Sequence, residues 1–268
     1  MYLDLDLHFS DGVSQAFHSI SSASSSPQVL TFSVHHAAPG FFPISEHSGL
    51  SDPSSPSFDP FVLSLPLERG ASNATFARVW PIIDRVKNAF RPDYVVVQCG
   101  VDGLAGDPYA TWNWSLGAGD GNLGWYIDNI CRWGCKTLLL GGGEELNVEL
   151  ILLSVKADIE VIGGYNSPNV ARAWTYFTSI AVKQSSICMR STTLMVRMVA
   201  QLDHPLSLEA DIPDHSAFPL YAPSFILDVP PGNTQDQNTA EYLQHAENVF
   251  AQITETIRDR VGTPEARA

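Results

Sequence analysis

Asp6 and His8 stand two residues apart near the start of the chain, and Asp102 follows a second apolar run, Val95-Val96-Val97-Gln98-Cys99-Gly100. On an extended strand, residues at i and i+2 point the same way, so Asp6 and His8 share a face with Asp4. Two carboxylates and one imidazole form a three-ligand set for a divalent metal. Such a set leaves a fourth position open, the pattern of a catalytic rather than a structural zinc. Spacing alone favours a plainer reading, because Asp-x-His is short: Asp6 and His8 pair by hydrogen bonding at a strand end, and Asp102 caps the turn that follows.

Those residues need elements to hold them. Tyr2 to His8 alternates as a strand, Ser10 to Val13 reads as a turn, and a helix starting at Gln15 fails in the serine run 21–26. A short strand at Val29 to Val34 leads into an irregular stretch, rich in Ser and Pro, that lasts until about Asp59. Phe61 to Leu67 is another strand. Ala74 to Phe90 then places Phe76, Val79, Ile82, Ile83, Val86 and Phe90 on one helical face and closes before Pro92. The cycle repeats with a strand at Tyr94 to Cys99, a helix at Leu123 to Trp133 and an apolar strand at Thr137 to Leu140. A tail helix runs from Thr239 to Arg260. Strands that alternate with helices and lack internal polar alternation predict an α/β fold, a mostly parallel sheet with helices on both faces in three layers. In such sheets chemistry collects beyond the carboxyl ends of the strands, where His8, Asp102 and Gly141-Gly142-Gly143 fall.

Composition narrows the function. The chain has 268 residues with 44% hydrophobic and only 16% charged, so it can bury a core. Its 15 Lys and Arg against 29 Asp and Glu give a net charge of −14, a sign that repels nucleic acid and suits cationic partners. Direct nucleic-acid binding is not expected. Four cysteines make no dense disulfide framework, and no apolar run approaches the ~18 residues of a membrane span, so an intracellular protein without a membrane partner is expected. Gly119-Asp120-Gly121-Asn122-Leu123-Gly124 fits G-x-G-x-x-G, but the segment before it is a poor buried strand, which makes dinucleotide binding a weak reading.

Five ordered segments add a family resemblance. The run Tyr2-Leu3-Asp4-Leu5-Asp6-Leu7-His8-Phe9-Ser10-Asp11-Gly12-Val13 resembles the metal-binding strand of the class I histone deacetylases, zinc enzymes of the arginase/deacetylase superfamily. Pro39-Gly40-Phe41-Phe42-Pro43 looks like the loop walling their substrate tunnel, and Gln98 to Pro108 looks like the segment carrying their third metal ligand. Gly163-Gly164-Tyr165-Asn166, followed by Asn169 to Tyr176, is similar to their catalytic tyrosine loop and its helix. Ile212-Pro213-Asp214-His215 fits their C-terminal region.

The resemblance implies an arginase/deacetylase-like fold and zinc-dependent hydrolysis of acetyl-lysine on histone tails or other proteins. It assigns zinc to Asp6, His8 and Asp102, where the ion acts as a Lewis acid and lowers the pKa of its water. It makes Tyr165 the hydrogen-bond donor to the oxyanion. Phe42 becomes a tunnel wall gripping the acyl-lysine stem, and Tyr109 stands where the family usually has a smaller apolar residue. A potassium ion is implied at Asp4, Asp6, His8, Ser33 and Val34. Corepressor partners, transcription repression in chromatin, and a nuclear or cytoplasmic location follow from the same likeness.

The pattern departs from the family in three places. The family's general base is a His-His pair before the metal strand, each His oriented by an aspartate; Asp4 and Asp11 match those aspartates, but no His precedes His8. The adjacent His35-His36 lies in a different motif context and reads as an edge or loop pair. Residues 144–163 separate the glycine run from Gly164-Tyr165, and a stretch near 183–202 precedes Ile212-Pro213-Asp214-His215; neither resembles the family, and both read as insertions. The chain is thus expected to be a single deacetylase-like domain over 1–268, partial at its N-terminal side, with apolar sheet faces left uncovered and poor solubility. The alternative function is a catalytically inactive fragment or a non-catalytic chromatin-complex component.

Overall fold

A computed structural model describes residues 1–18, 29–117, 119–141, 164–184 and 204–262. The first expected insertion lies outside these residues, and the second does so from residue 185.

Strand β1 is Tyr2–Asp4, followed by helix α1 (Asp11–Phe17), β2 (Thr31–His36), β3 (Val62–Leu67), α2 (Asn73–Phe90), β4 (Tyr94–Gln98), α3 (Leu123–Cys131) and β5 (Lys136–Leu140). Helices α4 (Ser167–Gln184) and α5 (Ala240–Val261) complete it, with a 3-10 turn at Phe218–Tyr221 between them. The five strands pair in the order β3-β2-β1-β4-β5, all parallel, which puts the short β1 at the centre. The three-layer α/β expectation holds.

Register explains where the core sits. Leu63, Phe32, Leu3, Val97 and Leu139 align across the sheet and point to one face. Phe32 stacks on Phe250 of α5 at 5.0 Å, while Leu3, Phe32, Leu63 and Val97 are completely buried. Helix α2 packs on α5, and α3 packs on α4. Phe76 of α2 stacks on Trp114 at 3.9 Å, and the Tyr126 hydroxyl of α3 donates to the Phe76 carbonyl at 2.6 Å. Ser72 caps α2 by accepting the Thr75 N–H, and Thr239 caps α5 by accepting the Tyr242 N–H.

The opposite face is covered unevenly. Ser64, Ser33, Asp4, Gln98 and Leu140 align on it. Helix α1 covers β2 and β3, and Ser33, His35 and Ser64 are buried there. At the β4–β5 end Tyr94 is 59% exposed, Leu138 55% and Leu140 36%. The helices on this face therefore stop short of β4 and β5 among the described residues, in line with the expectation of an uncovered apolar face.

Local boundaries differ for physical reasons. The expected turn at Ser10–Val13 is the first turn of α1, opened by Ser10 and Asp11. His35 and His36 are strand residues of β2, a strand flanked on both sides by β1 and β3, so neither an edge nor a loop holds them.

Candidate metal centre

The β1 strand ends at Asp4, and Asp6 and His8 lie on a bent continuation of it. Two carboxylates cause the bend. Asp4 Oδ1 accepts the Asp6 N–H at 3.0 Å, and Asp6 Oδ1 accepts the His8 N–H at 2.8 Å, successive turns in which a side chain caps the backbone two residues on. The continuation stays wedged in the sheet, because Leu5 donates to the Gln98 carbonyl and the Leu7 carbonyl accepts from His36. Leu5 and Leu7 are buried, which leaves Asp6 and His8 at the carboxyl end of the sheet.

Asp102 arrives from beyond β4 and is completely buried. Its Oδ1 accepts the Leu7 N–H at 2.9 Å, tying the two segments together. Its Oδ2 lies 2.7 Å from His8 Nδ1, which is itself 3.2 Å from Asp6 Oδ1. Although close to His8, Asp102 Oδ2 is buried outside hydrogen-bonding geometry with any described group. One ligand atom from each of the three residues falls within 4.8 Å of the others. Around a tetrahedral zinc with bonds of roughly 2.0–2.1 Å, neighbouring donors stand about 3.3 Å apart, so this set fits such an ion.

The charges agree with that fit. Burial and the Asp6 charge push Asp102 up to about 7, against the pull of His8. Burial and the Asp6 charge also raise Asp4 well above the ordinary carboxylate value, although the Asp6 N–H and the Tyr2 hydroxyl oppose the shift. Burial disfavours the His8 imidazolium, but Asp102 and Asp6 outweigh it and raise His8 to about 10. A crowd of buried carboxylates around one imidazole is the environment a divalent cation relieves.

Aromatic rings surround His8. Phe41 stacks on it at 5.2 Å and 13°, while Phe42 meets it edge-on at 6.4 Å and is 73% exposed. Phe41, which the sequence reading did not single out, is thus the closer wall. Its neighbours gave no signal, since Phe41 and Phe42 are chemically alike. Tyr165 meets His8 edge-on at 6.5 Å, and Tyr109 packs on Tyr165 at 4.3 Å.

The remaining candidates separate. Asp4 and Ser33 are register partners, and Ser33 Oγ accepts from Ser10 N–H and bonds His35 Nδ1, while Val34 is core. Asp11 opens α1, accepts the Gly12 N–H at 2.6 Å, and lies outside the converging group. His35 is completely buried, donates Nε2–H to the Ser48 carbonyl, and is pushed down to about 4 by burial. His36 donates Nδ1–H to Leu67 and lies behind Phe41, whose ring it meets at 4.7 Å. Among the described residues the Gly119–Gly124 run follows no strand: the preceding Trp114 makes only an isolated bridge to Leu104, which removes the context a dinucleotide fingerprint needs.

Residues 1–148 match the family model of the histone deacetylase domain. Similar curated proteins include histone deacetylase 8 of Xenopus tropicalis, 29% identical over 91% of this chain and 52% of that protein. Histone deacetylase 8 of Danio rerio is 29% identical over 97% of this chain and 54% of its own length. Histone deacetylase RPD3 of Saccharomyces cerevisiae is 28% identical over 96% of this chain and 47% of its own length. The chain spans about half the length of the curated relatives it matches. No helix among the described residues is long and apolar enough to cross a membrane.

Proposed function

The chain belongs to the histone deacetylase domain family, and from that membership we propose that it hydrolyses acetyl-lysine on histones or other proteins with a zinc ion held by Asp6, His8 and Asp102. The observation that carries this reading is the convergence of those three ligand atoms beside Tyr165 at the carboxyl end of the sheet. Zinc, when bound there, supplies Lewis acidity to the acetyl carbonyl and to water.

The chain's own residues supply the rest. Asp102 Oδ1 is spent on the Leu7 N–H, which orients Oδ2 toward His8. Phe41 and Phe42 flank the approach to His8 and suit an aliphatic lysine stem. The Tyr165 hydroxyl is the donor for negative charge developing on the carbonyl oxygen. Tyr109 narrows the approach beside Tyr165. A potassium ion at Asp4, Asp6, His8, Ser33 and Val34 belongs to the same proposal, supported by the pairing of Asp4 with Ser33. Nuclear or cytoplasmic action on acetylated histone tails, with corepressor partners and without direct nucleic-acid contact, suits the charge of −14.

Metal content and release of acetate from an acetyl-lysine peptide test the reading together. Zinc with turnover that Tyr165→Phe lowers about 100- to 1,000-fold supports it, and zinc without turnover favours the non-catalytic alternative.

A further inference from the structure

Asp107 lies five residues beyond Asp102, is 7% exposed, and belongs to no ligand set among the described residues. Its Oδ1 accepts the Tyr109 N–H at 3.0 Å. Its Oδ2 accepts the N–H of Tyr165 at 2.7 Å and that of Asn166 at 3.1 Å. One carboxylate therefore holds the backbones of both tyrosines whose rings pack at 4.3 Å.

An ordinary turn-capping aspartate uses one oxygen on the residue two positions on, as Asp52 does for Ser54 and Asp59 for Phe61. Asp107 Oδ1 does the same for Tyr109. Its Oδ2 does something else, reaching a segment 58 residues away. Charge-assisted hydrogen bonds of this kind are the stronger ones, and burial shields them from solvent.

The surrounding contacts run the same way. Asn166 Nδ2 donates to the Gly106 carbonyl at 3.0 Å, and Asn169 Nδ2 donates to the Ala105 carbonyl at 3.3 Å. Gly164 has φ of +133°, and a Cβ there would stand 2.7 Å from the side chains of Val101 and Val170. The Tyr165 loop is thus seated on the segment that carries Asp102.

We propose that Asp107 is a positioning residue for Tyr165: its carboxylate fixes the Tyr165 backbone to the Asp102 segment, so that metal ligand and phenol keep one geometry. The consequence for turnover rests on the deacetylase reading, whereas the placement of the loop does not. Misplacing a reacting group by about 1 Å can cost roughly a hundredfold in rate.

The test uses the full chain loaded with zinc, with Asp107→Ala and Asp107→Asn alone and in a Tyr165→Phe background. Amide exchange at Tyr165 and Asn166 should quicken by about tenfold or more in Asp107→Ala, while Phe32 and Val97 in the sheet keep their protection and zinc content is unchanged. The kcat for an acetyl-lysine peptide should fall about 10- to 100-fold with little change in KM, and that loss should vanish in the Tyr165→Phe background. Unchanged exchange at Tyr165 and Asn166 overturns the proposal, and so does a loss that adds fully to that of Tyr165→Phe. If Asp107→Ala also loses sheet protection, Asp107→Asn, which keeps one acceptor oxygen, is judged by the same criteria. Faster exchange in a chain without any turnover upholds the placement of the loop and rejects the deacetylase reading instead.

Discussion

Gly100 and Asp6 occupy adjoining space at the carboxyl end of the sheet: a Cβ on Gly100 would stand 1.9 Å from Asp6 Oδ2. No side chain fits at position 100 without moving a carboxylate of the candidate metal centre. Gly100→Ala should therefore weaken zinc binding by about 10- to 100-fold, the size expected when the support of a ligand is disturbed. Calorimetric titration with zinc measures this, and far-UV circular dichroism should stay unchanged. Wild-type affinity in Gly100→Ala would mean that Asp6 is not a ligand.

Acid sensitivity should trace to Asp236. Its Oδ2 accepts from Ser72 N–H at 3.0 Å and Thr75 Oγ1 at 2.6 Å, and its Oδ1 accepts from Asn238 N–H at 2.9 Å, so it ties the start of α2 to the segment before α5. Burial would raise its pKa, but the hydrogen bonds from Thr75, Asn238 and Ser72 outweigh burial and hold it below the ordinary value. Because the folded pKa is depressed, this stabilisation is present above the unfolded value near ~3.9 and is lost as pH falls through the folded one. Asp236→Asn should cost about 1 kcal/mol at neutral pH, after discounting for partial exposure. Urea midpoints measured from pH 7 downward should fall less steeply below about pH 4 in this variant than in wild type.

Solubility should be limited by the β4–β5 face. Tyr94, Leu138 and Leu140 are exposed together on it, and β5 is an edge strand among the described residues. Such a surface invites association. Leu138→Lys should raise the soluble fraction and reduce aggregate on size-exclusion chromatography, while zinc affinity remains that of wild type. An unchanged aggregate fraction would place the sticky surface elsewhere.

The sequence pattern made some of this legible and left the rest hidden. Helices α2, α3 and α5 were readable because each carries an apolar face at helical spacing, whereas the proposed ligand set Asp6, His8 and Asp102 rests on the family resemblance, since Asp-x-His spacing alone favours a hydrogen-bonded strand end. The geometry of that set was not readable: strand period two put Asp6 and His8 on a regular strand, whereas Asp4 and Asp6 bend the chain by capping their own backbone. Competition between side-chain and ladder hydrogen bonds leaves no periodic mark. Which strand carries the uncovered face leaves no mark in the apolar run of β5 itself, because what covers a strand is set by segments far away in the chain. Asp107 was invisible for the same reason, since its second oxygen acts across 58 residues.

The most direct test of the central claim is zinc stoichiometry in wild type and in Asp102→Ala, read beside acetate release from an acetyl-lysine peptide by wild type and Tyr165→Phe. The expected result is one zinc per chain in wild type, none in Asp102→Ala, and turnover that Tyr165→Phe lowers about 100- to 1,000-fold while keeping its zinc. Zinc retained by Asp102→Ala, or turnover in Tyr165→Phe equal to that of wild type, would contradict it.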